Sequence, residues 1–440
     1  MRKNSIYGLL GYVVPTMTML LAYPVLVKAL GSDLFGIYVL AMAISGSLAF
    51  LDLGFSLATI KFIAEDMANN EMQRIADVLV SSLFFYACMG GVLVLVIWNL
   101  TPWLISLFSI KEQMYTEAVW AFKLASVQLL LMFVMNVYLG LFKGVQRFDL
   151  STLVLSSLSV LTYGGIIIGV MFFDAGLIEV IQITVAANAI VFVLAAAKGA
   201  SLCATYGIPL IKGRATIPTY KRMLSFGAAM TVMSIAGIIN SQLQRIVLGI
   251  LVGPQGVAAF HLGTFVPAKA NAATMALSEP LFPKVASKGG KADKELGKLY
   301  RRYIVVLLLV SSVMLAPFIF ASKMLFSIWL GADVPENTPE IAKIFAVGLF
   351  INVLGQPVYH SLNGMGKPWI NTIFSFVNPF FLYVSLFAIY TVNSKVDVMD
   401  FAWATMLSLV ASSVIYVVWY ELALIRGKQK LMSKSDLADI

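Results

Sequence analysis

The sequence is poor in charge, in cysteine and in histidine. Only 12% of its 440 residues are charged, and it contains two cysteines and two histidines. A soluble domain would carry about twice this fraction of charged residues. Cys88 and Cys203 both lie in apolar runs without a metal-ligand spacing, so they indicate neither a disulfide framework nor a zinc site. The composition therefore excludes an ordinary soluble domain.

Catalytic signatures are absent as well. His261 and His360 have no Asp, Cys or Ser at a recognisable motif spacing, and the sequence lacks HExxH, GxSxG, P-loop and GxGxxG elements. The external loops are too short to hold a sugar-nucleotide or acyl-donor site. We therefore predict a protein that is not an enzyme and that binds no metal and no cofactor.

Apolar residues dominate what is present. Hydrophobic residues make up 60% of the chain and its mean hydropathy is +0.89. One soluble core could not bury so much apolar surface, whereas lipid accommodates it. At about 20 residues per span, the chain is long enough for about twelve transmembrane helices. The apolar segments cover residues 6–30, 36–64, 78–100, 117–142, 150–172, 176–203, 223–251, 256–286, 300–322, 340–365, 368–391 and 398–425.

The distribution of Lys and Arg predicts how these segments are oriented. The first segment is too long for a signal-peptide core, and we interpret it as a retained span. Most basic residues fall in alternate loops, which is the pattern of the positive-inside rule and explains the net charge of +9 without nucleic acid. We predict a multi-pass protein of the bacterial inner membrane with both termini in the cytosol.

The longest loop near mid-chain, residues 204–222, divides the spans into two sets of six. A short repeat supports this division, because LGSDLFGIYVL from Leu30 resembles VGPQGVAAFHL from Val252. Chance similarity between glycine-rich turns is the alternative. The predicted domains are an N-terminal lobe at 1–203, the linker 204–222, a C-terminal lobe at 223–427 and a cytosolic tail at 428–440. Prolines interrupt several spans, which fits a transporter whose helices line a water-filled cavity but is also common in other large membrane proteins.

Three cations inside predicted helices are candidates for binding an anionic substrate, because a charge at membrane depth is costly unless it is paired or hydrated. Lys269 lies near the middle of its span, two residues after Pro267. Arg245 lies on a polar stripe with Ser234 and Ser241, and a guanidinium suits phosphate geometry. Lys123 lies near the start of its span. Pairing with a carboxylate or carbonyl, or snorkelling to the interface, is the structural alternative for each.

Two carboxylates inside predicted helices are candidates for ion coupling or gating. They are Asp52, in AFLDLGFS, and Glu279, in ALSEPLF. Either could bind the H+ or Na+ that drives transport. The alternative for each is a structural role beside backbone N–H groups that a Gly or Pro kink leaves free. The basic run from Lys284 to Arg302 is interpreted as a positive-inside loop, with anionic lipid headgroups as its alternative partner.

Several motifs resemble one family of membrane transporters. LGSDLFGIY from Leu30, LDLGFS from Leu51 and KFIAE from Lys61 resemble the opening of Wzx-type O-antigen flippases. These are the polysaccharide branch of the multidrug/oligosaccharidyl-lipid/polysaccharide exporter superfamily. Later parts of the first two-thirds are similar too, namely GLFKGVQRFDLS from Gly140, RIVLGILVGPQGVAAFHL from Arg245 and ALSEPLFPKVA from Ala276.

The resemblance implies a MATE-like, alternating-access fold with two six-helix lobes around a basic cavity. The implied substrate is an undecaprenyl-pyrophosphate-linked oligosaccharide, an O-antigen or capsule repeat unit that moves from the cytosolic to the periplasmic leaflet. Arg245 and Lys269 would then contact the pyrophosphate or acidic sugars. Relatives commonly have Asp just before the arginine that matches Arg245, and this sequence has Gln244 instead. The implied partners are membrane lipids and other membrane proteins of polysaccharide assembly.

Three other functions compete with this interpretation. A multidrug cation antiporter of the same superfamily would have a cavity dominated by carboxylates, whereas the charged residues predicted near mid-membrane here are mainly cations. A glycan polymerase or acyltransferase would need a large external loop or clustered catalytic residues. A scaffold that transports nothing would leave the charges inside the helices unexplained.

Overall fold

A computed structural model describes residues 2–287 and 294–425, and every regular element in these ranges is helical. Helices are expected, because each backbone N–H and C=O in lipid needs a partner within the chain. The contacts divide the chain into two compact units, Met1–Gln255 and Gly256–Ile440. We call them unit 1 and unit 2.

Unit 1 contains eight α-helices and the connections between them. They are α1 (Arg2–Ser47), α2 (Phe55–Ala68), α3 (Met72–Leu107), α4 (Tyr115–Gly144), α5 (Phe148–Phe173), α6 (Leu177–Thr205), α7 (Ile217–Ile238) and α8 (Gln244–Val252). Short 3-10 turns lie at Leu48–Asp52, Glu112–Met114 and Leu210–Lys212, and a π-helical turn joins α7 to α8 at Ile239–Leu243.

The long helix α1 consists of two arms that meet at Gly31. The backbone of Gly31 leaves the helical region (φ 68°, ψ 173°), a conformation that residues with a Cβ rarely adopt. The arm before Gly31 contains Pro15 and Pro24 and is bonded to α5 through the hydroxyls of Thr18 and Ser159, 2.6 Å apart. The motif LGSDLFGIY therefore marks a sharp turn between two helical arms.

The motif LDLGFS marks a second interruption. The chain leaves α1 through the turn Leu48–Asp52, and Leu53 and Gly54 then adopt left-handed conformations (φ 49° and 73°) before α2 begins. Gly54 approaches α7 so closely that an added Cβ would lie 2.4 Å from the carbonyl oxygen of Gly227. A Cβ added to Gly227 would lie 2.3 Å from the carbonyl oxygen of Leu53. This contact therefore requires glycine at both positions, 54 and 227.

Aromatic packing and hydroxyl bonds hold the centre of unit 1 together. Phe55 stacks on Phe85 with ring centres 3.9 Å apart, and Tyr86 packs against both Phe55 and Phe133. The hydroxyls of Thr59 and Ser82 are bonded across α2 and α3 at 2.9 Å. Lipid is as apolar as these side chains, so close packing and interhelical hydrogen bonds stabilise the contacts more than the hydrophobic effect does.

Unit 2 contains eight further helices, of which α9 begins at the unit boundary. They are α9 (Pro254–Ser278), α10 (Leu281–Ser287), α11 (Lys294–Leu330), α12 (Thr338–Asn352), α13 (Gly355–Gly364), α14 (Pro368–Ser375), α15 (Val377–Asn393) and α16 (Val398–Ile425). Helix α11 bends at Ala321, one turn after Pro317. Three pairs of short helices thus follow one another where the sequence predicts continuous spans: α9 with α10, α12 with α13 and α14 with α15.

Buried amides and hydroxyls bond the short helices of unit 2 to their neighbours. Gln356 of α13 donates to the hydroxyl of Thr274 in α9 at 2.9 Å. Asn371 of α14 donates to the carbonyl of Tyr359 and to the side chain of Asn363, and it accepts a hydrogen bond from Tyr416 of α16. These bonds satisfy polar groups that the helix breaks would otherwise leave without partners in lipid.

Within the described residues, nine helical segments are long and apolar enough to cross a membrane. They are Gly11–Asp52, Met72–Leu107, Glu112–Gly144, Phe148–Phe173, Leu177–Thr205, Gly297–Leu330, Thr338–Gly364, Pro368–Asn393 and Val398–Leu424. The prediction of an all-α polytopic membrane protein is confirmed, and the predicted number of twelve spans stays a prediction.

Helices α7 and α8 group with unit 1 by their contacts, since α7 packs on α2 and α8 on α1. The sequence instead places a lobe boundary in residues 204–222, and this division stays a prediction. Part of the basic run, 288–293, and the predicted tail at 428–440 lie outside the described residues.

Candidate functional site

The Arg245 side chain lies half-buried in unit 1, beside an amide and a phenol. Its Nη1 donates to Oε1 of Gln242 at 3.3 Å, and its guanidinium interacts electrostatically with Tyr23 of α1. Tyr23 is itself buried, and its ring meets that of Tyr163 in α5 edge-on at 6.4 Å. Within the described part of the chain, Arg245 has no carboxylate partner.

The π-helical turn directly before α8 sets the direction of Arg245. A π turn accommodates one more residue than an α turn, so the side chains that follow it are rotated relative to α7. Gln242 lies in this turn and packs closely against Gly46. A Cβ added to Gly46 would lie 2.9 Å from the side-chain amide of Gln242. Ser241 donates a hydrogen bond to the carbonyl of Gly237, and the side chain of Ser234, the other serine of the polar stripe, lies outside the described residues.

Lys269 lies half-buried on α9 of unit 2, two residues after Pro267. Its Nζ is 5.6 Å from the ring centre of Phe265, within the range of a cation–π contact. The Phe265 ring is in turn 5.8 Å from that of His261. The ammonium group of Lys269 thus lies beside an aromatic ring.

Lys123 has a different environment. Its Nζ lies 5.5 Å from the ring centre of Trp98 and 5.7 Å from that of Trp120. Both tryptophans are exposed on the helix surface, at 42% and 46%. A lysine between exposed indoles is typical of the membrane–water interface, where Trp is enriched and long cations snorkel.

Asp52 closes the interruption between α1 and α2. Its carboxylate accepts hydrogen bonds from the hydroxyl of Ser56 at 2.9 Å, from the backbone N–H of Ser56 at 3.3 Å and from the hydroxyl of Tyr86. Tyr86 is fully buried in α3. The carboxylate thus ties the first turn of α2 to the core of unit 1.

Glu279 lies at the break between α9 and α10, where its side chain is exposed. It is close enough to His360 of α13 to interact electrostatically. Lys269 and Glu279 belong to the same stretch of chain but are ten residues apart, about 15 Å along a helix. Within unit 2, Lys269 and Glu279 therefore lie too far apart along the helix for a direct ion pair.

The sequence did not reveal an ion-pair cluster at one end of unit 1. Arg222, at the start of α7, donates to both oxygens of Asp66 at 3.0 and 2.9 Å and to Glu65 at 3.0 Å. Its guanidinium also lies 4.1 Å from the ring centre of Phe62, while Asp66 is fully buried. The partners are 156 residues apart, and only the charge signs of KFIAED and TYKR hinted at them.

No cluster of three or more His, Cys, Asp or Glu side chains suited to a metal occurs within residues 2–287 and 294–425. Of the predicted site residues, Asp52 and Glu279 lie at helix breaks and Arg245 follows the π turn, whereas Lys123 and Lys269 lie within α4 and α9.

Residues 1–285 match the family described as Polysaccharide biosynthesis protein. The chain belongs to this family. The resemblance that the motifs of the first two spans indicate is thereby confirmed. A protein from Shigella flexneri that carries the name "Putative O-antigen transporter" is 23% identical over 372 residues, 84% of this chain and 86% of that protein.

Solved structures give the fold of this family member. An inward-facing multidrug resistance MATE transporter of the MOP superfamily aligns with a TM-score of 0.76 at 14% identity, over 96% of this chain and 99% of that one. An outward-facing structure of a MATE transporter of the same superfamily aligns with a TM-score of 0.63 at 16% identity, over 97% and 95%. The fold is that of MOP-superfamily transporters.

Proposed function

We propose that this chain is a flippase. It carries an undecaprenyl-pyrophosphate-linked oligosaccharide, an O-antigen or capsule repeat unit, from the cytosolic to the periplasmic leaflet by alternating access. Membership in the polysaccharide biosynthesis family and the similarity to a protein named for O-antigen transport support this proposal. A glycan and its pyrophosphate cannot cross about 30 Å of hydrocarbon without a hydrated path.

The observation that carries the proposal is the surroundings of Arg245. A half-buried guanidinium beside Gln242 and Tyr23, without a carboxylate partner in the described ranges, keeps its charge available for an anionic group. Guanidinium binds phosphate in a bidentate manner, which fits a pyrophosphate. Lys269 would supply a second cation in unit 2, whereas the interfacial surroundings of Lys123 support a substrate role less.

We further infer twelve spans with both termini in the cytosol. The segment Gly11–Asp52 covers about 63 Å of helix, twice the hydrocarbon thickness, and its break at Gly31 divides it into two spans. The helix pairs α7–α8 and α9–α10 are each long enough for one more. Together with the remaining segments this gives twelve, and the basic loops then face the cytosol of a bacterial inner membrane.

Coupling to H+ or Na+ is the part of the proposal that rests on Asp52 and Glu279. Asp52 receives three hydrogen bonds at a helix break, so its protonation would weaken its bonds to Ser56 and Tyr86. Glu279 lies near His360 at the break between α9 and α10. Both carboxylates lie where a change of charge would affect the geometry of a discontinuous helix.

The test is a bacterial strain that lacks this chain, scored for surface polysaccharide and for the leaflet that holds the lipid-linked unit. Membrane-impermeant periodate applied to spheroplasts oxidises only the glycan of the outer leaflet, and everted vesicles report the inner leaflet. We expect loss of surface polysaccharide and accumulation of periodate-protected unit in spheroplasts. Re-expression of the chain should restore both.

The second candidate function is a multidrug cation antiporter, which the fold similarity to MATE transporters favours. The same strain distinguishes the two. Normal surface polysaccharide together with raised sensitivity to organic cations would overturn the flippase proposal and support the antiporter.

A further inference from the structure

The loop between α6 and α7 is fixed to the first turns of α3. The side-chain amide of Gln73 donates to the carbonyl of Lys212 at 2.9 Å, and the backbone N–H of Arg214 donates to Asp77 at 2.9 Å. Between them, Gly213 lies so close to α3 that an added Cβ would be 2.6 Å from the carbonyl oxygen of Ala76. The loop is therefore held as a strap across the end of this helix.

The strap and the first two turns of α7 present apolar and basic side chains together. Ile211 is 101% exposed and Ile217 is 83% exposed, although isoleucine is among the residues most often buried. Three exposed cations lie beside them, Lys212, Arg214 and Lys221, and none is paired with a carboxylate among the described residues. Exposed isoleucines among basic residues are typical of a segment that lies in the headgroup layer of an anionic membrane.

A groove opens along the exposed face of α3, next to the strap. It is a cavity of about 320 Å³, at the lower end of the range for ligand pockets, and its wall is almost wholly apolar. The hydroxyl of Tyr220 donates to the carbonyl of Ser81 at 3.1 Å, and this bond holds the Tyr220 side chain in the wall of the groove. The lining residues are Phe84, Phe85, Cys88, Met89, Val92 and Tyr220.

The spacing along α3 matches the layers of a bilayer. From Ala76, beside the strap, to Phe84, at the start of the groove, α3 rises about 12 Å, and the groove continues for about 12 Å to Val92. The polar layer of a bilayer is several ångströms thick on each side of a hydrocarbon core of about 30 Å. A strap at headgroup depth thus places the groove among the upper parts of the acyl chains.

We propose that the strap and the groove form a binding site for one anionic phospholipid. Its phosphate meets Lys212, Arg214 and Lys221, and one acyl chain lies in the groove beside Cys88. The carboxylates nearby are already engaged, since Asp77 accepts from Gln73 and Arg214 while Asp66 and Glu65 bind Arg222. The three cations are left to attract the lipid, which would hold the strap on α3 whatever substrate the protein carries.

Photocrosslinking tests the site on the full chain in phosphatidylcholine nanodiscs. The probes are trace phosphatidylglycerol and trace phosphatidylcholine that carry the same diazirine acyl chain. We expect crosslinks on residues 84–92, with phosphatidylglycerol labelling at least about fivefold more than phosphatidylcholine, since each basic residue near an anionic surface contributes about that factor. Equal labelling by the two lipids would overturn the proposal.

Charge variants identify the headgroup contact. The triple variant K212Q/R214Q/K221Q should lower phosphatidylglycerol labelling to the phosphatidylcholine level. The control K198Q/K298Q/R302Q removes three exposed cations elsewhere and should keep the preference. A triple variant that retains the preference, or stronger displacement by polyprenyl phosphate than by phosphatidylglycerol, would contradict the assignment.

Cys88 offers a second readout that does not depend on the charge variants. In a C203S background it is the one thiol of the chain, and it lies in the groove wall. We expect a lipid-soluble maleimide to react several-fold more slowly in phosphatidylglycerol nanodiscs than in phosphatidylcholine nanodiscs. Equal rates would mean that the anionic headgroup does not raise the occupancy of the groove, and would overturn the proposal.

Discussion

Two arginines of unit 1 have guanidinium groups with opposite kinds of neighbours. At the start of α7, Arg222 is neutralised by Asp66 and Glu65 and lies over the ring of Phe62. After the π turn, Arg245 meets only an amide and a phenol within the described part of the chain. The first arrangement stabilises contacts between helices, and the second keeps a charge available. The neighbours of a cation, rather than its position in a helix, thus indicate its role.

The largest effect should come from breaking the neutralised cluster. Arg222→Met leaves the fully buried Asp66 without its partner, which should lower the free energy of unfolding by about 3–5 kcal/mol. Asp66→Asn should cost less, about 1–3 kcal/mol, because Arg222 keeps Glu65 and access to water. Thermal unfolding of the purified variants in detergent, followed by intrinsic fluorescence, measures both. A larger loss in Asp66→Asn than in Arg222→Met would contradict this order.

The available guanidinium should matter for transport and little for stability. Arg245→Gln should reduce transport about 10- to 100-fold, the value of a hydrogen-bonded charge, at a normal protein level. Arg245→Lys should recover part of it, since the charge remains but the fork geometry is lost. Restoration of surface polysaccharide in the deletion strain is the measurement.

Lys123→Gln is the matched control for Arg245. It removes a charge from the same unit, but this charge lies between two exposed indoles, so we expect nearly full complementation and a stability change below about 1 kcal/mol. Equal losses in Lys123→Gln and Arg245→Gln would remove the distinction between the two surroundings.

A smaller loss of stability than in the Arg222 cluster should come from Asp52. Asp52→Asn keeps the shape but weakens the bonds to Ser56 and Tyr86, which should cost about 1–2 kcal/mol. Tyr86→Phe removes one of the same bonds and serves as a comparison, since it leaves the carboxylate in place. If Asp52 couples transport to an ion, only Asp52→Asn will change the dependence of transport on pH or Na+. Identical behaviour of the two variants would leave Asp52 a structural role.

Hydropathy predicted most of the helical segments, because a span in lipid must be both long and apolar. It could not predict the breaks, since Leu48–Gly54 is apolar except for Asp52, and the polar residues of the π turn Ile239–Leu243 lie inside a longer apolar stretch. The sequence allowed Asp52 a structural role as a partner of backbone N–H groups at a kink. The hydrogen bond that Asp52 accepts from the backbone N–H of Ser56 is of this kind. The partnership of Arg222 with Asp66 depends on how distant helices pack, which no local pattern encodes.

The π turn before α8 has a consequence for any change in the length of α7. If all five residues of the turn formed regular α-helix, every side chain beyond them would turn by about 100° and Arg245 would leave the neighbourhood of Tyr23. Removal of one residue together with a return to α-helix would keep the direction of Arg245, because four α-helical residues rotate the chain by about as much as the five residues of the π turn. The π turn thus fixes the direction of the guanidinium through backbone geometry rather than through contacts of the arginine side chain.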